Sequence, residues 1–300
     1  MKELYAFFIV AAVWGVPPAL GHAPVRVQVS VPPQLYLVER IGGDRVEAEA
    51  FVPAGESCES FQPRPGHVRR LAGARVFFAA GLPYEATLVP RLGSIYPDLG
   101  IVDTVDGLML REEACCAHGH RGHSHGSSGH GHAHGDPHVW MSPALALAQA
   151  ARMRDALADL DPSGAAEYER NFRRLEAEIE SLDAELTALL APFAGRPVFV
   201  YHPAFGYFTD AYGLKQVAIE HNGAEPSPAR LARLVADARE RGVRVFFVQP
   251  SESTRAVSLL ADAVGGRTEV LDPMRADWAD NLREIAGAVA ASYADAEPVQ

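Results

Sequence analysis

Residues 197–219 read PVFVYHPAFGYFTDAYGLKQVAI, and this stretch decides the fold class. Pro197–His202 is a short run of β-branched and aromatic residues that reads as a buried strand, and Leu214–Ile219 reads as a second. VRVFFVQP (Val243–Pro250) and TEVLDP (Thr268–Pro273) have the same character downstream. Helical stretches lie among them at Pro228–Arg241, Ser253–Val264 and Asp277–Ser292. Strands that alternate with helices predict an α/β lobe with a parallel sheet, because parallel neighbours need a crossover connection.

The same grammar appears upstream. VRVQVSV (Val25–Val31) alternates and is β-branched, and Gly42-Gly43-Asp44 turns into the strand VEAEAFVP. A helix at Pro65–Ala72 precedes the buried strand RVFFAAG (Arg75–Gly81), and Ile101–Val105 reads as a fourth strand. Between the two halves, Asp161-Pro162 announces a helix with Ser163 as its cap. Phe172, Leu175, Ile179, Leu182, Leu186 and Leu189 form one apolar stripe at spacings of three and four. A helix from about Ser163 to Leu190 would be roughly 40 Å long at 1.5 Å per residue. The expected architecture is α/β: two lobes with parallel sheets joined by one long backbone helix. The boundaries are 22–160 for the N-terminal lobe, 161–191 for the linking helix and 192–300 for the C-terminal lobe.

The chain carries 27 basic and 38 acidic residues, a formal charge of −11, which excludes phosphate backbones as the natural partner. Lys2, the apolar run Leu4–Val16 and the small residues Ala19 and Gly21 predict a signal peptide over residues 1–21. No later apolar run approaches the ~20 residues needed to span a bilayer, so the mature chain is expected to be exported, soluble and periplasmic. Cys58, Cys115 and Cys116 are an odd number, which rules out a full disulfide framework. Cys115 and Cys116 are either soft metal ligands beside the histidines that follow or an incidental loop pair.

Residues 111–137 are a low-complexity loop. His118, His120, His123, His125, His130, His132 and His134 fall within seventeen residues, interleaved with Gly and Ser. Imidazole binds late first-row divalent metals, so the tract should collect them. A defined site needs ligands on rigid elements, and three stand out. His138 sits in DPHVWMSP ahead of the helix entry Ser142-Pro143, while His202 and Asp272 follow strands at the carboxyl ends where ligands of such sheets gather. Trp140, Tyr201 and Phe205 neighbour these positions and are placed to exclude water. Glu220, His221 and Glu225 either orient a ligand or simply shape the loop ahead of the Pro228 helix.

DPHVWMSP, a long helix, FVYHPAFGYFTDAYGL, IEHNGAEPSPARL and VLDPMRADWADNLREIA together resemble the zinc/manganese class of ABC-transporter solute-binding proteins. IGGDRVEAEAFVPAGE, FQPRP and RRLAGARVFFAAGLPYE are similar to that family's first lobe, so the likeness spans the mature chain. It implies one metal held in the inter-lobe cleft and delivered to an inner-membrane permease, with no catalysis. It implies His138, His202 and Asp272 as ligands, and a His-rich loop of the kind found in zinc-uptake members.

One departure matters. Where the family has a histidine in a Pro-His-x-Tyr/Phe-Glu-Pro segment, this chain has Glu59, and Cys58 replaces the preceding proline. Glu59 as ligand adds hard oxygen and shifts preference towards Mn²⁺ or Fe²⁺; Cys58 as ligand favours Zn²⁺ or a softer ion; a vacant position leaves three ligands. Zn²⁺ is the expected metal. A secreted zinc hydrolase is the competing class, but neither His-Glu-x-x-His nor Gly-x-Ser-x-Gly occurs.

Overall fold

The computed structural model describes residues 23–112, 135–221, 223–250, 252 and 255–294. The signal peptide expected at 1–21, Cys115, Cys116 and the seven histidines from His118 to His134 lie outside them. The N-terminal half runs β1 (Val25–Val29), α1 (Pro33–Gly42), β2 (Val46–Ala50), α2 (Pro65–Arg70), β3 (Val76–Ala79), α3 (Pro83–Ile95), β4 (Gly100–Asp103) and α4 (Pro143–Leu160). After α5 (Ala165–Leu190) come β5 (Pro197–Val200), α6 (Gly206–Ala211), β6 (Lys215–Ala218), α7 (Pro228–Glu240), β7 (Val245–Val248), α8 (Arg255–Val264), β8 (Arg267–Val270) and α9 (Trp278–Ala294).

Each half builds one four-stranded, all-parallel sheet, ordered β2-β1-β3-β4 and β6-β5-β7-β8. The strand order reverses direction between β1 and β3 and again between β5 and β7. The crevices at the carboxyl ends of these pairs are where open α/β sheets hold ligands. β3, β5 and β7 are buried at every position, as strands covered on both faces must be.

The expected linking helix is α5. It packs on α1 and α4 of the first half and on α9 of the second. Phe172, Leu175, Ile179, Leu182 and Leu186 are buried along it. Two expectations fail at its ends. Leu189 is 41% exposed, and Leu190 is buried in its place. Leu190 lies about five whole turns beyond Phe172 at 3.6 residues per turn, so the stripe drifts onto it and past Leu189. Ser163 does not cap the helix: Gly164 occupies the cap position, and the Ser163 hydroxyl donates to Asp161 Oδ1 at 2.6 Å while accepting from Arg45.

One apolar core runs from the first sheet through α4 and α5 to α9 and onto one face of the second sheet. A smaller core under α7 and α8 covers the other face of that sheet. The halves therefore share buried material, which limits how far they can separate. Among the described residues no helix is long and apolar enough to cross a membrane.

This packing predicts unequal costs along α5. Leu182→Ala should lower unfolding stability by about 2–5 kcal/mol in chemical denaturation, whereas Leu189→Ala should change it by less than about 1 kcal/mol. Equal losses at the two positions would contradict the packing.

Candidate metal centre

Three segments meet at the crevice. The loop after β2 brings Cys58 and Glu59, the turn ahead of α4 brings His138, and the turn after β5 brings His202. Local chemistry fixes each. The His138 backbone N–H donates to Asp136 Oδ1 at 3.0 Å, and a 3₁₀ turn over Val139–Met141 follows. Ser142 then caps α4 by accepting from the Leu145 N–H, with Pro143 in the first turn where its missing N–H costs nothing. Trp140 is fully buried, sits edge-on to the His138 ring at 5.3 Å and donates its indole N–H to the Pro273 carbonyl. Trp278 donates in return to the Trp140 carbonyl, so the His138 turn is bolted to the second half. Gln249, just past β7, donates to the His202 carbonyl at 2.9 Å.

The donor atoms converge. Glu59 Oε1 lies 2.9 Å from His202 Nε2 and 3.7 Å from His138 Nε2. Glu59, His138 and His202 each offer one atom within 4.8 Å of the others. Four-coordinate zinc with bonds of ~2.0–2.1 Å has ligand–ligand edges of about 3.3 Å, which these two distances bracket. Each imidazole is held from behind by a carboxylate: His138 Nδ1 meets Asp136 Oδ1 at 2.8 Å, and His202 Nδ1 meets Glu220 Oε1 at 2.7 Å. A carboxylate on Nδ1 keeps its proton there and turns the Nε2 lone pair towards the centre, the arrangement usual behind metal-binding histidines. The donor set therefore fits a divalent transition metal. Cys58, His138, His202 and Asp272 line a cavity of about 30 Å³, room for one water-sized occupant.

The electrostatics ask for positive charge. Burial works against charging His202, but its hydrogen bonds to Glu220 and Glu59 outweigh that and push its pKa up to about 9. Burial likewise opposes the charge on His138, yet Cys58 and Asp136 raise it well above its usual value. Burial alone would raise Glu59, but the His202 hydrogen bond and the charges of both imidazoles hold it below the ordinary carboxylate value. Without a metal, protons on the two imidazoles, with the Arg111 guanidinium beside Asp136, offset the three carboxylates; a divalent cation would take the protons' place.

The other candidates separate clearly. Asp272 and Cys58 line the same cavity but both stand outside the mutually close set, and Asp272 Oδ1 accepts the Met274 N–H at 2.8 Å. Cys58 is buried, with Sγ 3.6 Å from His138 Nε2. Glu220 orients His202, whereas His221 and Glu225 are exposed in the turn ahead of α7, where His221 pairs with Ala224. Trp140, Tyr201 and Phe205 are all buried.

Asp136 and Arg111 escaped the reading of the sequence. Asp136 was legible as an acid two residues before His138, a spacing that returns its carboxylate to the imidazole. Arg111 had no such signal. It lies 3.6 Å from Asp136 through Nε, donates to the Gly206 carbonyl at 2.8 Å and pairs with Asp210. A Cβ on Gly206 would sit 2.6 Å from Arg111 Nε, so a larger residue there would push the guanidinium aside.

The raised His202 pKa has a consequence for the metal-free protein. A group titrating higher in the folded state stabilises it fully below its unfolded pKa of about 6.5, and that contribution is lost as pH rises through the folded value. With His202 at about 9, metal-free stability should fall by roughly 1–3 kcal/mol between pH 6.5 and 9. Thermal melts in chelator should show this fall, and His202→Gln should flatten it. A profile that rises over this range would contradict the site's charge balance.

Residues 27–292 match the family model described as zinc-uptake complex component A, periplasmic. The high-affinity zinc uptake system protein ZnuA of Bacillus subtilis is 29% identical over 293 residues, covering 91% of this chain and 89% of that protein. A crystal structure of ZnuA superposes with a TM-score of 0.81 at 31% identity, over 90% of this chain and 99% of that one. A ZnuA deletion mutant with zinc bound gives a TM-score of 0.80 at 32% identity, over 90% and 98%. With nearly all of the described fold inside the matched range, the chain belongs to the zinc-uptake complex component A family of periplasmic proteins.

Proposed function

We propose that this chain captures one divalent transition metal, zinc foremost, between its two lobes and delivers it to the membrane permease of an ABC importer. The carrying observation is the convergence of Glu59, His138 and His202 from both halves, with each imidazole backed by its own carboxylate. Glu59 and His138 belong to residues 22–160 and His202 to residues 192–300, so a small displacement of one lobe removes a ligand and lowers affinity. Docking on the permease would supply that displacement, and the shared core along α5 keeps its amplitude small. A cavity of about 30 Å³ has room for a single ion.

Two nitrogen donors of borderline softness favour zinc over manganese or ferrous iron. The tract from His118 to His134 would raise the local metal concentration without fixing coordination. Residues 1–21 would direct export to the periplasm and then be removed.

Protein lacking residues 118–134 should still bind one zinc ion tightly by calorimetry, and His202→Ala should abolish that site. Asp136→Asn and Glu220→Gln should each weaken it by about 10–100-fold. Loss of all tight binding with the tract would contradict a cleft site, and absence of metal-dependent transport with purified permease and ATPase would contradict delivery.

Zinc requires neutral imidazoles, so binding must expel the protons that His138 and His202 carry. Affinity should rise from pH 6 towards about 9, where His202 titrates in the metal-free protein. Calorimetry in buffers of different ionisation enthalpy should count at least one proton released at pH 7. A pH-independent affinity would show that the imidazoles do not bind the ion.

A further inference from the structure

The three converging donors leave a fourth position to be filled, and the geometry points to the Cys58 thiolate. This inference rests on the metal-capture reading and concerns the same site. Cys58 is only 4% exposed, so its side chain is committed to the interior. Its Sγ sits 3.6 Å from His138 Nε2, the atom that faces the centre, and it lines the cavity with His138 and His202. A tetrahedral zinc with Zn–S of ~2.3 Å and Zn–N of ~2.0–2.1 Å has an S···N edge of about 3.6 Å. The Cys58–His138 separation is thus already that of two ligands on one ion.

The rival donor is Asp272. Its Oδ1 is engaged by the Met274 N–H, and its carbonyl accepts from Asn281 Nδ2, so the residue shapes the turn from β8 to α9. Cys58 and Glu59 instead enter from one loop, and that loop is anchored. Phe61 stacks on His67 at 5.1 Å and meets Phe51 and Tyr84 edge-on at 5.9 and 5.3 Å. The pinned loop holds Cys58 Sγ against His138, while the adjoining Glu59 reaches both imidazoles.

Charge supports the pairing. Among the four donors, one thiolate and one carboxylate match the two charges of a dication bound to two neutral imidazoles. On binding, the S–H bond breaks as the S–metal bond forms, and the proton leaves to solvent. A sulfur, oxygen and two-nitrogen site is softer than one closed by a second carboxylate, and it discriminates for zinc and against manganese.

Cobalt(II) reports thiolate ligation directly. The test uses the full chain with Cys115→Ser and Cys116→Ser, so that Cys58 is the single thiol. The first equivalent of cobalt should raise a near-ultraviolet sulfur-to-cobalt charge-transfer band together with the intense visible bands of a tetrahedral ion. Cys58→Ser should abolish the charge-transfer band while visible bands that depend on His202 persist, and it should cut the zinc-over-manganese preference at least tenfold. Asp272→Asn should leave the charge-transfer band in place. His202-dependent visible bands with no charge-transfer band would overturn the thiolate assignment and leave metal capture standing. So would a site lost in Asp272→Asn and kept in Cys58→Ser. No His202-dependent cobalt site at all would overturn both.

Discussion

Glu59 is held between His138 and His202, with Asp136 and Glu220 behind the imidazoles, and everything about the cleft follows from balancing that buried negative charge. Carboxylates removed from water are costly unless paired, and here the pairing is supplied by imidazoles drawn from both halves of the chain. In the absence of metal the balance is kept by protons, which is why His138 and His202 titrate high. The same arrangement makes the cleft receptive to a cation that brings two charges and displaces those protons. On the proposed ligand set, affinity and reversibility would share one origin, because the ion would compete with protons rather than fill an inert void.

The fold supplies what that cluster needs. Two sheets of identical strand order place their switch-point crevices on the cleft, and turns at the carboxyl ends of β2 and β5 carry Glu59 and His202 into it. The Trp140–Pro273 and Trp278–Trp140 hydrogen bonds tie the His138 turn to the opposite half, and Arg111 bridges Asp136 to Gly206 and Asp210. A core continuous through α4, α5 and α9 keeps the halves in register. A metal site with the proposed ligands, drawn from two bodies, would need this restraint, since an error of an ångström on either side would spoil tetrahedral geometry.

Most of the fold was legible because buried parallel strands are apolar throughout: all eight strands lie within the stretches read from VRVQVSV to TEVLDP, apart from single-residue shifts at β4 and β8. The helices α1, α3 and α6 were not. α6 has only six residues, and α1 presents a narrow stripe of Leu37, Val38 and Ile41 after two prolines, too brief for periodicity to declare itself. Ser163 failed as a cap because Asp161 and Arg45 compete for its hydroxyl, a contact that no local pattern reveals. His138, His202 and Glu220 were legible from their positions beside strand ends and a helix entry. Arg111 was not, since its partners Gly206 and Asp210 are about a hundred residues distant. Adjacency alone does not choose between Glu59 and Cys58; in the fold Glu59 reaches both imidazoles and Cys58 reaches His138.

The most direct measurement is anomalous diffraction at the zinc edge from crystals of the zinc-loaded protein lacking residues 118–134. The expected result is one full-occupancy peak in the cleft, about 2.0–2.2 Å from Glu59 and from Nε2 of His138 and His202, with Nδ1 of each imidazole still on its carboxylate. A cleft without an anomalous peak, or an ion bound away from these three residues, would contradict it.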